Sequence, residues 1–238
     1  MFANGQKQAS HLTVYSLTRM QPRFKQVLER IAAEKGPGPL RSFSVFHLTL
    51  ALELLAHETI GRGRLAERLH VGEGAVRPMI GRLEDAGLIS VSKNGCALTG
   101  KGSALWRECQ QVFAKKAELE RDELTLGSFN FGVLVKGYAF RVGSGMEQRD
   151  AAVKAGADSA TTIMMKGRKL VIPSVSSDIM KDSPRMGLIL TEGFQPEDGD
   201  VIVISGLDNR QKAEFGVLAT AWMFWIRRLK RCICRLER

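Results

Sequence analysis

ETIGRGRLAERLHVGEGAVRPMIGRLEDAGLISVSKNGCALTGKG, residues 58–102, is the stretch that decides the fold. Apolar residues recur at helical spacing over Arg64–Leu69 and again over Glu73–Ala86, with a short Gly-containing turn between them. Gly87 stands where a helix ends in a left-handed residue. Leu88–Ser92 then reads as a strand, Lys93-Asn94-Gly95 as a tight turn and Cys96–Thr99 as the returning strand, Asn-Gly being a strong short-range hairpin signal. An apolar helix, Ser44–His57, precedes the motif, with Ser44 as its N-cap and His47 and His57 packing within or capping it. Helix, turn, helix and hairpin in this order predict a winged helix-turn-helix between Ser42 and Gly102.

In such a motif the second helix is the one presented to the DNA major groove. At about 100° per residue, Val76, Met79, Ile80 and Leu83 share one face, which is therefore the core side. Gly74, Pro78, Gly81 and Arg82 fall opposite, with Arg77 on the shoulder. Arginine suits both guanine edges and phosphates, and glycine lets a helix backbone come close to a groove. No Asn, Gln, Ser or Thr stands on that face, so phosphate contacts and DNA shape are expected to outweigh base readout. Lys93, Asn94 and Lys101 lie on or beside the hairpin, and Arg62 and Arg64 at the preceding turn, within reach of flanking phosphates. Pro78 sits awkwardly, because a proline inside a helix removes one hydrogen bond and favours a bend.

Outward from the motif, residues 1–41 form an N-terminal extension with one weak helix, Arg23–Glu34, ended by Gly36-Pro37-Gly38-Pro39. A long helix over Ser103–Leu124, with Leu105, Cys109, Val112, Phe113 and Leu119 apolar, is expected to link the halves (residues 103–126). Residues 127–226 alternate strand-like runs with two helices. The runs are Phe131–Val142, Ala160–Met165, Lys169–Ile172, Leu188–Leu190 and Val201–Ser205; the helices are Glu147–Ala155 and Arg210–Trp225. The expected class is α+β, a winged helix joined by a helix to an α+β domain for effector sensing or dimerisation. Residues 227–238 form a basic tail.

Charge divides along the same lines. The chain of 238 residues carries a net charge of +10. Residues 1–125 hold 18 Lys/Arg against 13 Asp/Glu, residues 126–226 hold 11 of each, and the last twelve hold 6 against 1. A basic front half and a neutral back half suggest different partners, with a polyanion for the first. Cys96, Cys109, Cys232 and Cys234 do not resemble a disulfide framework. The polar N-terminus shows no secretory signal, and the longest apolar run, Phe215–Ile226, is shorter than the ~20 residues of a spanning helix. These features predict a cytoplasmic protein for which a membrane is not the main partner.

Enzyme chemistry finds little support. Gly95 to Lys101 approaches a P-loop, but Gly102 stands where the magnesium-binding hydroxyl belongs. Gly61-x-Gly63-x-x-Ala66 follows a helix instead of a strand, the wrong setting for a dinucleotide site. The histidines at 11, 47, 57 and 70 have no metal-ligand spacing, and Cys232-x-Cys234 lacks further ligands. No cofactor or metal is expected. One turn has the character of an anion site: Gly143, Ser144 and Gly145 precede a helix N-terminus, with Arg149 one turn on, so a small anionic effector could bind there. A plain turn capped by Ser144 or Gly145 is the simpler reading.

Several of these residues together resemble a known family. Gly61-Arg62, Leu65-Ala66, Leu69, Gly72-Glu73-Gly74-Ala75-Val76-Arg77, Gly87-Leu88-Ile89, Leu98-Thr99 and Lys101-Gly102 are similar to an uncharacterised archaeal winged-helix family. So are Glu147-Gln148-Arg149-Asp150-Ala151-Ala152, Gly156-Ala157 and Ala160-Thr161-Thr162, in a half catalogued only as a domain of unknown function. The likeness runs from about Pro39 to Trp222; Pro78 and the tail after Ile226 depart from it. It implies a transcriptional regulator and supplies no ligand or catalytic residues. The expected function is therefore a regulator that binds double-stranded DNA, as a homodimer because half-sites are usually read in pairs. The alternative is a protein- or membrane-docking module using the tail, where Leu218, Trp222, Trp225, Ile226, Leu229, Ile233 and Leu236 oppose Arg227, Arg228, Lys230, Arg231 and Arg235.

Overall fold

The computed structural model describes residues 22–33, 43–125 and 127–225, which mix helices with two small sheets. The basic tail, the Cys232-x-Cys234 pair and most of the N-terminal extension lie outside the described residues. The chain divides into two units, Met1–Ala114 and Lys115–Arg238.

In the first unit, helix α1 (Arg23–Ala32) buries Phe24, Leu28 and Ala32 at a spacing of four, the stripe of an amphipathic helix. Phe24 meets Phe113 edge-on, ring centroids 5.7 Å apart. Helix α2 (Val45–His57) is apolar almost all round and forms the centre of the unit, with Leu48, Leu50, Ala51, Leu52 and Leu55 buried. Its start is fixed by His47, whose Nδ1 accepts the Ser44 backbone N–H at 2.9 Å. Helix α3 (Arg62–Arg68) tucks in Leu65 and Ala66, and α4 (Glu73–Asp85) buries Ala75, Val76, Met79, Ile80 and Leu83. Helix α4 runs unbroken through Pro78, which is exposed to solvent.

Gly87 closes this helix at φ +69°, and β1 (Ile89–Ser92) pairs antiparallel with β2 (Gly95–Leu98) around the two-residue turn Lys93-Asn94. Ile60 adds a bridge to this hairpin, exchanging hydrogen bonds with Cys96 at 3.0 and 2.8 Å. The approach demands glycine at 95: a Cβ there would lie 2.7 Å from the Ile60 carbonyl oxygen, and φ is +123°. Helix α5 (Gly100–Val112) starts where the Thr99 hydroxyl accepts the Gly102 N–H at 3.1 Å. The near P-loop is thus a returning strand followed by an ordinary helix cap.

The expected linker helix over 103–126 is corrected. It stops at Val112, and Phe113–Leu119 is strand β3. Ala117 and Leu119 turn into one core while Lys116 pairs with Glu214 on the other side, a period of two that overrides the helical propensity of Ala, Lys and Glu.

In the second unit, β3 heads a five-stranded sheet of order β3-β4-β7-β5-β6, with β4 at Phe129–Val135, β5 at Ser159–Lys166, β6 at Lys169–Val171 and β7 at Val201–Leu207. The pairs β4–β7, β7–β5 and β5–β6 are antiparallel, and every residue of the central strand β7 is buried. On one face Leu134, Ile163, Met165, Ile202 and Ile204 form a core with Met186, Leu190 and Phe194. These last three stand four apart on helix α8 (Pro184–Phe194), preceded by the short α7 (Ile179–Asp182). The expected strand Leu188–Leu190 is therefore helical: Pro184 opens the helix and the spacing of 186, 190 and 194 governs, not the local apolar run. The opposite face carries α6 (Met146–Lys154) and α9 (Arg210–Trp222). The end of the run Phe131–Val142 is also corrected, since residues Ala139–Arg141 form a 3-10 turn. Among the described residues no helix is long and apolar enough to cross a membrane.

Two outcomes follow. Gly95→Ala should cost about 1–3 kcal/mol in urea unfolding, because the chain at Ile60 has to move. His47 accepts a hydrogen bond only as the neutral ring, and burial lowers its pKa from 6.5 to about 4. The unfolded chain then takes the proton first, so this stabilisation is complete above pH 6.5 and is lost as the pH falls toward 4. The urea midpoint should drop across that window, and His47→Gln, which can still accept the bond, should flatten the decline.

Candidate nucleic-acid interface

Helix α4 is held by its buried face, with Val76, Met79 and Leu83 fully inside. Its opposite face presents Gly74, Arg77 and Pro78 to solvent, while Gly81 and Arg82 are half-buried. Arg77 makes no ion pair or side-chain hydrogen bond among the described residues. A Cβ added at Gly74 or Gly81 would meet nothing within 4 Å, and the same is true of Gly61 and Gly72 at the caps of α3 and α4. Packing inside the chain therefore does not require these glycines, although glycine costs a helix interior about 1 kcal/mol relative to alanine.

Arg82 and Lys101 have partners within the chain that a helical wheel does not show. Arg82 donates to the carbonyls of Ile31 at 3.1 Å and Ala33 at 2.9 Å, and its guanidinium lies 5.2 Å from the centre of the Phe43 ring. It clamps α4 to the end of α1. Lys101 donates to the Ala86 carbonyl at 2.6 Å, where a cation offsets the partial negative charge at the end of α4. Both side chains are thus engaged within the chain, while Arg82 Nη2 and Nε and two of the Lys101 N–H groups keep their donor capacity.

Arg62 and Lys93 are exposed and unpaired among the described residues, Arg62 at the start of α3 and Lys93 at the hairpin tip beside Asn94. The Asn94 N–H is held by the Ser92 hydroxyl at 3.2 Å, which shapes the turn and leaves its side chain outward. Arg64 pairs with Glu58 at 3.2 Å, and Arg68, which the periodicity argument did not single out, shares that carboxylate at 3.6 Å. Exposed pairs of this kind contribute little, so a phosphate can replace Glu58 at small cost. The cationic set is thus Arg62, Arg64, Arg68, Arg77 and Lys93, offset by exposed Glu67 and Glu73.

Burial raises the pKa of Cys96 and of Cys109 above the usual thiol range, so neither is an activated nucleophile. No group of three or more potential metal-ligating side chains occurs among the described residues.

In the second unit, the turn at Gly143, Ser144 and Gly145 is the cap of α6. Gly145 is the N-cap at φ +84°, and the Ser144 hydroxyl faces the Met146 N–H at 3.5 Å. Arg149 is exposed, joined to the turn only through its backbone N–H on the Gly145 carbonyl at 3.1 Å. A cavity of about 340 Å³ lies beside this turn, but Gly143, Ser144, Gly145 and Arg149 do not line it. Its walls are Ala139, Phe140, Val142, Met164, Met165, Lys166, Asp198 and Gly199, drawn from three separate segments.

No curated protein matches the chain. Residues 48–104 match the model of the PH0730-like N-terminal domain, and residues 126–223 match that of a domain of unknown function, DUF4443. The fold is similar to a solved structure, hypothetical protein PH0730 from Pyrococcus horikoshii OT3, with a TM-score of 0.63, 24% identity, and coverage of 76% of this chain and 92% of that one. Both halves of the chain are thus similar to domains of uncharacterised proteins, with an archaeal representative among the solved structures.

Proposed function

We propose that the first unit is a winged helix that binds double-stranded DNA, and that the protein is a transcriptional regulator and not an enzyme. The observation that carries this reading is the outer face of α4. Its glycines serve no internal packing, its Arg77 has no partner among the described residues, and Arg62 and Lys93 flank it in the same condition. A helix that forgoes side chains on one face loses stability and gains nothing unless another surface comes close to its backbone there. The neighbouring unpaired cations fit a phosphate-lined surface. Arg62, Arg64, Arg77 and Lys93 are the phosphate contacts in this reading, Gly74, Pro78 and Gly81 mark the close approach, and Asn94 accompanies Lys93 on the wing. With few polar side chains on that face, affinity rests on backbone contacts and DNA shape more than on base edges.

The salt dependence of binding to duplex DNA tests it. Arg62→Ala, Arg77→Ala and Lys93→Ala should each reduce the slope of log K against log salt by about 0.9, whereas Arg82→Ala should act mainly by lowering stability. A slope unchanged by all three, or no duplex binding at low salt, would overturn the assignment. The glycines give a second and opposite readout. Gly81→Ala should raise thermal stability, by up to about 1 kcal/mol, and Gly81→Leu should weaken DNA binding while the protein stays folded. Binding indifferent to leucine at 81 would remove the close approach.

A further inference from the structure

The cavity in the second unit is built, not incidental. Its three wall segments are pinned to one another by main-chain bonds: the Ala139 N–H donates to the Gly199 carbonyl at 2.9 Å, and the Gly199 N–H to the Met165 carbonyl at 3.0 Å. Behind them the buried Asp200 carboxylate accepts from Lys136 Nζ at 2.9 Å and from the backbone N–H groups of Gly137 and Glu197, each at 2.8 Å. The backbone that carries the lining residues is therefore set before anything binds, as in most small-molecule sites.

The lining falls into three chemical parts. Phe140, Val142 and Met164 form an apolar wall; Phe140 is 58% exposed, its ring stacking on Tyr138 at 5.9 Å and carrying the Arg141 guanidinium 5.6 Å from its centre. Lys166 supplies one positive charge and has no ion pair among the described residues. Asp198 supplies one negative charge; its Oδ1 is oriented by the Gly167 N–H at 2.6 Å. Met164 and Lys166 point to the same side of β5, about 7 Å apart along the strand, so the apolar wall and the cation face one space. An anion alone would be repelled by Asp198 and a cation alone by Lys166. A molecule bearing both charges beside an apolar group satisfies all three parts.

We infer that this cavity binds a small zwitterion with an apolar side chain, an apolar α-amino acid being the matching chemical class. The carboxylate faces Lys166, the ammonium faces Asp198, and the side chain lies on Phe140, Val142 and Met164. The volume of about 340 Å³ is at the small end of ligand pockets, as a single amino acid requires. The site does not depend on whether the first unit binds DNA.

Calorimetric titration of the full chain with L-leucine, L-methionine and L-phenylalanine tests it, against isocaproate, which lacks the ammonium, and isoamylamine, which lacks the carboxylate. At least one of the three amino acids should bind, and each single-charge analogue should bind about tenfold more weakly or worse. Lys166→Ala and Asp198→Asn should each weaken the amino acid about tenfold, and Phe140→Ala should weaken it further with only a small change in the unfolding curve, since the ring is largely exposed. Lys166 and Phe140 are exposed, and asparagine keeps the acceptor for Gly167, so all three variants should fold. Absence of heat with all three amino acids at 10 mM (about the weakest binding worth measuring) would overturn the proposal. So would single-charge analogues that match the amino acids, or binding indifferent to all three substitutions.

Discussion

The two hydrogen bonds exchanged by Ile60 and Cys96 tie the chain entering α3 to the returning strand of the hairpin. Everything between those residues, α3, α4 and β1, forms a loop closed at its base by this pair. The closure needs a backbone approach so tight that residue 95 has no room for a side chain. Arg82 provides a second tie from the far end of α4, reaching the carbonyls that end α1. Lys101 provides a third, reaching back to Ala86. Helix α4 is thus fixed at its core face, flank and end, and only its outer face is uncommitted. Such a helix can present an outer surface without having to reorganise.

The parts of this unit that were legible in the sequence are those governed by local rules. Periodicity located α2, α3 and α4, Gly87 marked a helix end, and Asn94-Gly95 marked the hairpin, because each depends on a few consecutive residues. The internal partners of Arg82 and Lys101 were not legible for a complementary reason. The positions of these two residues on a helical wheel say nothing of the carbonyls of Ile31, Ala33 and Ala86, which arrive from outside the helix being read. Arg68 was missed because its role depends on sharing Glu58 with Arg64. The open space around Gly74 and Gly81 could only be seen once the surroundings of each were known.

The second unit shows the same boundary between local and distant causes. Strand β7 was legible because a short apolar run buried on both faces announces itself. Strand β3 was not, since Ala114-Lys115-Lys116-Ala117-Glu118 is good helical material and only pairing within the sheet makes it extended. Leu188-Ile189-Leu190 misled in the other direction, an apolar triplet whose helical partners at 186 and 194 lay just outside it. The cavity was invisible for a topological reason: residues near 140, 165 and 199 share it only after β5 and β7 pair in the register Met164 to Val201. The Gly143–Gly145 turn invited both an anion-site reading and the plainer one of a cap because its motif was local; it caps α6 and does not line the cavity.

Pro78 has a consequence for what the outer face of α4 displays. A residue at that position would ordinarily donate its N–H to the carbonyl four residues earlier, at Gly74. Proline has no such donor, and its ring sits against the Gly74 carbonyl, so the helix forgoes one main-chain bond there. Val76, Met79 and Ile80 lie buried on the other side of the same turn. The direction of the outer face at this point is therefore set by the core beneath it and not by the hydrogen-bond ladder. A loosened core under residues 76–80 would be felt first as a change in how that face is presented.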